Sequence, residues 1–277
     1  MLGNLHLGLT EWEVELAISG AIAIERNIVK MHVEKGEQNP FTTTVTLEKA
    51  PKGVKCILVA RAFDQVTAND AAVYFVGQAL DVLSLRLDIP LYLSLFQPEY
   101  RSISAHVRRR VNQEEWFKAF KIGRSYSMNR HFLSRAISWY RKGLVSEDPI
   151  DRVIAFWSAL EAVCSKYFCP NERTNLGIIN KVCDCFDQLW GSSENWHVIP
   201  GEPTYLNKFH EFRNGFSHGF RRVDIETIRD VSKDLPIYQK LAREFLLEWE
   251  INGSIIERNR PTQEREKANG NLYTDSG

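Results

Sequence analysis

The apolar positions of the first sixty residues follow the two-residue period of β-strands. Residues 12–18 (WEVELAI) alternate large apolar side chains with acidic or small ones, which is the pattern of a half-buried strand. Residues 41–47 are rich in Thr and Val, and residues 54–63 (VKCILVARAF) are β-branched and mostly apolar. Pro51-Lys52-Gly53 lies between these two segments and predicts a hairpin turn. The pattern therefore favours an antiparallel sheet.

From residue 67 the apolar period becomes helical. Thr67-Ala68-Asn69-Asp70 is typical of a capped helix start, and Pro90 is expected to end the helix. Residues 91–96 and 103–107 predict two more strands. Residues 1–115 are thus expected to form an α+β domain, in which one long helix packs on a sheet.

The second half of the chain shows helical periodicity and little strand pattern. The predicted helices cover residues 132–140, 150–167, 175–190, 205–220 and 224–251. Asp148-Pro149 forms a cap followed by a proline in the first helical position, and Pro236 is expected to kink or split the last helix. We expect residues 116–127 to be a linker, residues 128–251 an all-α bundle, and residues 252–277 a disordered tail.

Composition excludes several classes of protein. Apolar residues make up 44% of the 277 residues, but no run approaches the ~18 apolar residues of a membrane-spanning helix. Residues 1–10 lack the features of a secretory leader, and five cysteines without a regular framework favour reduced thiols. We therefore expect a cytoplasmic globular protein without a membrane partner.

Positive charge is concentrated in residues 101–142, although the net charge of the chain is zero. This stretch holds eleven Lys and Arg residues against two Glu, an excess of nine positive charges. A solvated helix face and a track for a phosphate backbone are both compatible with this density. Arg108, Arg109 and Arg110 are candidate RNA-binding residues within it.

A carboxylate interrupts the apolar face of the predicted helix at 150–167. At roughly 100° per residue, Glu161 falls in the middle of that face. The apolar residues around it are Val153, Ile154, Trp157 and Cys164. A carboxylate there is costly unless a charged or donating group meets it, and Arg213 would be such a group. The alternative is a rotated helix that places Glu161 at the rim of the bundle.

The sequence Arg213-Asn214-Gly215-Phe216-Ser217-His218 combines three side chains that act on phosphate without a metal. Arg binds phosphate bidentately, His transfers a proton near neutral pH, and Asn orients either group. On the predicted helix an apolar stripe (Phe209, Phe212, Phe216, Phe220) is separated from a polar stripe (His210, Asn214, Ser217, His218, Arg221). Arg213 lies at the border, roughly 140° from His218 on an ideal helix. A solvated face with an arginine that neutralises a core acid is the structural alternative.

The pattern R-N-x-x-x-H resembles the signature of the HEPN superfamily, small helical domains that include many metal-independent endoribonucleases. Trp157-Ser158-Ala159-Leu160-Glu161-Ala162 precedes it by about fifty residues. This segment is similar to the W-x-A-L-E helix that packs beside the R-N-x-x-x-H helix in the Apea-like branch. Residues 136–143 resemble the entry helix of that branch, and the N-terminal α+β part is similar to that of methylamine-utilisation-type members. The resemblance covers roughly residues 128–250.

The resemblance implies a homodimer whose two R-N-x-x-x-H helices face each other across a cleft that holds RNA. A 2′-hydroxyl then attacks the adjacent phosphate, without metal or cofactor. It implies that His218 transfers the proton, that Arg213 and Asn214 hold and position the phosphate, and that Glu161 orients Arg213 or lines the pocket. His210 and Arg221 flank the motif as further candidate RNA contacts. We therefore expect an HEPN-type endoribonuclease that acts in defence or as a toxin-like stress effector.

The alternative hypothesis is a non-catalytic HEPN interaction or dimerisation module. Its N-terminal domain would bind a ligand or a regulatory partner protein. The surroundings of Arg213 and His218 distinguish the two hypotheses. Both side chains reach solvent in a nuclease, whereas in a module Arg213 is occupied by a buried pairing with Glu161 and His218 is covered.

Other combinations of reactive residues match no known site. Four cysteines are spaced C-x4-C-x13-C-x-C, which fits no common zinc site, and two of them fall on apolar helix faces. The four are Cys164, Cys169, Cys183 and Cys185. His210 and His218 lie eight residues apart, but the H-E-x-x-H pattern is absent. The sequence also lacks G-x-G-x-x-G, Walker and G-x-S-x-G motifs, so we expect no bound metal or cofactor.

Overall fold

The structure, a computed structural model, describes residues 10–25, 28–32, 42–50, 53–95, 107–199, 201–202 and 204–258. Internal contacts divide the chain into two compact units, Met1–Ser134 and Arg135–Gly277. The first unit contains the described strands and two long helices. The second unit is helical. An α+β part followed by a helical part is the architecture that the sequence predicted.

A five-stranded antiparallel sheet forms the first unit, in the order β3-β4-β5-β1-β6. A separate pair, β2 and β7, is parallel. The strands are β1 (Thr10–Gly20), β2 (Ile22–Ile24), β3 (Ile28–His32), β4 (Thr42–Ala50), β5 (Gly53–Ala62), β6 (Leu91–Leu95) and β7 (Arg109–Val111). The strands predicted at 12–18, 41–47, 54–63 and 91–96 correspond to β1, β4, β5 and β6, although residues 41 and 96 lie outside the described residues and β5 ends at Ala62. Residues 103–106 lie outside the described residues, and Val107 is not in a strand.

Helix α1 (Gln65–Leu87) packs on this sheet. It begins earlier than the sequence predicted, because the Asp64 side chain accepts a hydrogen bond from the Thr67 backbone N–H at 2.7 Å and caps the helix. Asp88 ends the helix in the left-handed conformation (φ 55°), two residues before Pro90. The predicted long helix is therefore present, but it is one of two long helices in this unit rather than the single one expected.

Residues 116–127 were expected to be a linker, but they lie within helix α2 (Gln113–Asn129). Asn112 and Glu115 form a capping box at its start. Trp116 and Phe120 belong to the same buried core as α1 and the sheet, so apolar burial keeps this segment helical. This segment is therefore a helix of the first unit's core and not a linker.

The second unit is built around α4. It packs against α5, α6 and α7, and its first turn is capped by Asp148 ahead of Pro149, as predicted. The helices are α3 (His131–Val145), which contains the boundary between the two units, α4 (Pro149–Tyr167), α5 (Ile178–Trp190), α6 (Thr204–Ser217) and α7 (Ile225–Arg258). Short 3-10 turns lie at Thr174–Leu176 and Ser193–Asn195.

Several helix boundaries of the second unit also differ from the predicted ones. Helix α5 begins after Gly177, whose φ of 144° interrupts the helical pattern. Helix α6 ends at Ser217, so Phe220 leaves the apolar stripe and is 86% exposed. Helix α7 continues through Pro236 to Arg258. Residues 252–258 are therefore helical rather than part of a disordered tail, and residues 259–277 lie outside the described residues.

Within the described ranges, no helix combines the length and the apolar character that crossing a membrane requires.

Candidate functional site

The site forms where α6 packs on α4. The Trp157 ring of α4 meets the Phe209 ring of α6 edge-on, with 5.1 Å between ring centroids. Phe209 also stacks on Tyr238 of α7 at 4.1 Å. All three rings are fully buried, so apolar burial fixes both the depth and the rotation of α6. The contact between the segments that contain W-x-A-L-E and R-N-x-x-x-H is present.

Glu161 on α4 pairs with Arg213 on α6, as the apolar surroundings of Glu161 predicted. Arg213 Nη2 donates to Glu161 Oε2 at 3.2 Å, and the two side chains are 24% and 31% exposed. The pair therefore lies between the dry core and the surface. A guanidinium has five N–H donors, and Arg213 uses one on Nη2 and one, on Nη1, to Asn214. The N–H on Nε is buried without a partner, so one N–H on Nη1 and one on Nη2 remain for a ligand or solvent.

Asn214 connects Arg213 to His210. Its Oδ1 accepts the hydrogen bond from Arg213 Nη1 at 2.9 Å, and its Nδ2 lies 2.9 Å from His210 Nε2. The His210 ring packs on the Trp157 ring, with 5.1 Å between centroids. Burial and the positive charge of Arg213 hold the pKa of His210 below its usual value. We call the four side chains Glu161, Arg213, Asn214 and His210 the Arg213 network.

His218 lies outside this network. Helix α6 ends one residue before it, although the His218 backbone N–H still donates to the Asn214 carbonyl at 3.1 Å. Gly219 then turns the chain with φ of 69°. The His218 side chain is exposed, and its ring is 5.8 Å from that of Phe220. In a single chain, Arg213 and His218 therefore occupy different surroundings.

Arg221 folds back over the last turn of α6. Its guanidinium carbon lies 4.3 Å from the Phe212 ring centroid and 5.8 Å from that of Phe216. Its backbone N–H donates to the Gly215 carbonyl at 3.0 Å. A Cβ at position 215 would lie only 3.0 Å from the Arg221 Cβ, so glycine leaves the space that this arrangement needs.

The other candidate RNA-binding residues belong to the first unit. Arg109 forms a bidentate ion pair with Glu115, including a 3.0 Å bond from Nη1 to Oε2, and this pair lowers the pKa of the Glu115 carboxyl. Arg110 is exposed, and Arg108 is partly buried. Part of the positive charge in residues 101–142 is thus neutralised locally.

A concavity in the first unit, with a volume of about 800 Å³, is lined by β1, the start of α1 and the end of β6. Trp12, Gln65 and Leu95 are among its walls, and none of the predicted site residues lines it. In the described part of the chain, no three His, Cys, Asp or Glu side chains are grouped to hold a metal ion.

The Arg213 network was only partly visible in the sequence. The sequence predicts the pairing of Arg213 with Glu161 and places His210 and Asn214 on one polar stripe, with His210 as a candidate RNA contact. It does not predict that His210 contacts Asn214 and Trp157, because this depends on the packing of α6 on α4.

Comparisons of the chain with protein-family models, with curated proteins and with solved structures found no match in any of the three. The functional interpretation therefore rests on the geometry of the Arg213 network and on the residues of the motif.

Proposed function

We propose that this protein is a metal-independent endoribonuclease of HEPN type that acts as a homodimer in the cytoplasm. The observation that carries the proposal is the state of Arg213. Two acceptors, Glu161 Oε2 and Asn214 Oδ1, orient its guanidinium, and one N–H on each of Nη1 and Nη2 remains unused, while Nε is buried. An arginine held in this way is prepared to bind a phosphate. A role in defence or in a toxin-like stress response follows from the family resemblance and belongs to the same proposal.

Arg213 and His218 have different roles in the proposed reaction. A base removes the proton of the RNA 2′-hydroxyl, and the 2′-oxygen attacks the adjacent phosphorus. The bond to the 5′-oxygen breaks, and an acid protonates that oxygen. The products are a 2′,3′-cyclic phosphate and a 5′-hydroxyl. Arg213 stabilises the charge that develops on the non-bridging oxygens, and an imidazole such as His218 serves as base or acid near neutral pH.

A second copy of the chain would complete this arrangement. Within one chain Arg213 contacts α4, whereas His218 is exposed beyond the end of α6. Apolar side chains next to the motif offer a surface for the second copy: Phe220, Val223, Ile225 and Ile228 are 86%, 56%, 70% and 36% exposed. In a dimer, one His218 acts as the base and the other, protonated, as the acid.

The alternative is a non-catalytic interaction or dimerisation module with a ligand- or partner-binding N-terminal unit. Its support is that Arg213 is already engaged by Glu161 and Asn214 and that His218 does not join them. In that case the network holds α6 on α4, and the apolar residues after α6 bind a partner.

RNA cleavage in EDTA separates the two functions. We expect the wild-type protein to release cyclic-phosphate ends from single-stranded RNA of mixed sequence. His218→Ala should slow cleavage on the order of a hundredfold or more, because the proton transfer loses its catalyst. His131→Ala removes another exposed histidine and serves as the matched control, with unchanged activity. No cleavage by the wild type, or equal cleavage by His218→Ala, contradicts the nuclease and favours the module.

A further inference from the structure

The amide of Asn214 has only one orientation that satisfies both of its neighbours. Arg213 is a donor without acceptor capacity, so the atom of Asn214 that faces Nη1 at 2.9 Å must be the oxygen Oδ1. The nitrogen Nδ2 then faces His210 Nε2 at 2.9 Å. Because Nδ2 donates, Nε2 of His210 must accept. An accepting Nε2 carries no proton, so the proton of neutral His210 resides on Nδ1.

The surroundings of His210 favour this state. Its ring lies against Trp157 at 5.1 Å, partly withdrawn from water, and Arg213 is nearby on the same helix. The charged groups that act on His210 are Glu161 from α4 and Glu211 and Arg213 from α6. Burial and Arg213 outweigh the two carboxylates, so that the pKa of His210 is lowered.

We propose that His210 is a positioning residue of the Arg213 site: as the tautomer protonated on Nδ1, it fixes the Asn214 amide so that Oδ1 holds the Arg213 guanidinium. The proposal deepens the nuclease function and rests on it for any effect on catalysis. His210 does not touch the phosphate in this arrangement. It acts through Asn214, whereas His218 transfers the proton.

Protonation of His210 would release Arg213 from this constraint. The imidazolium has a donor on Nε2, which faces the donor Nδ2 of Asn214. The amide then turns over to present Oδ1 to His210, and Nδ2 faces Arg213 instead. The guanidinium loses one of its two acceptors and retains Glu161. Acidification below the ordinary range of histidine titration should therefore loosen Arg213.

The test records the proton position on His210 directly. Long-range ¹H–¹⁵N correlation spectra distinguish protonated from unprotonated imidazole nitrogens, and His210→Gln assigns the signals by their loss. We expect Nε2 unprotonated and Nδ1 protonated in the wild type at neutral pH. Asn214→Asp replaces the donor by a carboxylate oxygen, so that a proton should move to Nε2. Asn175→Asp adds the same charge at an exposed position and should leave the tautomer unchanged. A wild-type His210 protonated on Nε2, a mixture of tautomers, or no change in Asn214→Asp overturns the proposal.

The RNA cleavage rates of two His210 variants test the positioning role separately from the nuclease function itself. His210→Gln retains an oxygen that can accept from Asn214 and should cleave RNA at nearly the wild-type rate. His210→Ala should lower kcat by on the order of tenfold to a hundredfold, because Arg213 is less well placed. Equal rates for the two variants contradict a positioning role. If the wild type does not cleave RNA, the proposed function fails, and the tautomer measurement still decides the role of His210.

Discussion

At the scale of residues, Arg213 shows how a half-buried charge is kept in one orientation. Its two acceptors lie on different helices, Glu161 on α4 and Asn214 on α6, so that the guanidinium is held from two directions. Charge-assisted hydrogen bonds are roughly twice as strong as neutral ones. Solvent still reaches both members of the ion pair, and this limits how much the pair stabilises the fold.

A double-mutant cycle on Glu161→Ala and Arg213→Ala should measure a coupling of about 0.5–1.5 kcal/mol in urea unfolding. The partial burial of both partners is the reason for a measurable value. The control is the pair of Lys233 and Asp230 on α7, which is joined at 3.0 Å but is 73% and 46% exposed. It should give a coupling near zero, at most about 0.5 kcal/mol. Equal couplings for the two pairs would contradict this interpretation of the Arg213 contact.

At the scale of elements, a glycine allows helices α1 and α2 to pack closely. In the first unit α1 and α2 pack together, and Gly123 of α2 lies against the backbone of Gln78 in α1. A Cβ at position 123 would be 2.9 Å from the Gln78 carbonyl oxygen, which cannot move without moving the helix. Gly77 is the neighbouring residue of α1, and a Cβ there would meet open space.

The two glycines should respond in opposite directions to the same substitution. Gly77→Ala should raise the free energy of unfolding by up to about 1 kcal/mol, because alanine favours the helix and nothing is displaced. Gly123→Ala should lower it by about 1–3 kcal/mol, because the helices are forced apart. Chemical denaturation of both variants measures the difference. Stabilisation by Gly123→Ala would show that the two helices separate at little cost.

The sequence predicted best the elements that have a long hydrophobic period or a recognisable helix cap. Residues 12–18 alternate over a whole strand, and Asp148-Pro149 marks the start of α4. β2 has three residues, too few for a period to be recognised. The end of α6 was misplaced because Phe220 fits the four-residue spacing of the apolar stripe, while the turn at Gly219 depends on local backbone geometry. Contacts across helices, such as that of His210 with Trp157, depend on helix rotation, which a period alone does not fix.

At the scale of the whole molecule, each unit buries its own cysteines. Cys56 lies in the core of the first unit, and Cys164, Cys183 and Cys185 are buried in the second. Burial raises the pKa of Cys56 to about 12 and also raises those of Cys164 and Cys183. The thiolate is the reactive form of cysteine, so these thiols are unreactive for two reasons: reagents do not reach them, and they stay protonated. Cys169 is the exposed cysteine among the five.

A disulfide reagent should therefore react quickly with one thiol per folded chain and with five after unfolding. The exposed thiol is assigned by Cys169→Ser, which should abolish the rapid phase. Cys183→Ser, which removes a buried thiol, should leave that phase unchanged. More than one rapid thiol in the native protein would mean that one of the two cores opens on the time scale of the reaction.

The fit of Arg221 into the space above Gly215 links two positions that are six residues apart. A Cβ at position 215 would lie 3.0 Å from the Cβ of Arg221, an atom that every residue except glycine has at position 221. The restriction on position 215 therefore comes from the path of the chain after α6 and not from the length of the side chain at 221. We expect related sequences to keep glycine at 215 wherever the chain returns over the last turn of α6, whichever side chain stands at 221. Glycine in the third position of the motif would then mark a backbone path that lies outside the motif.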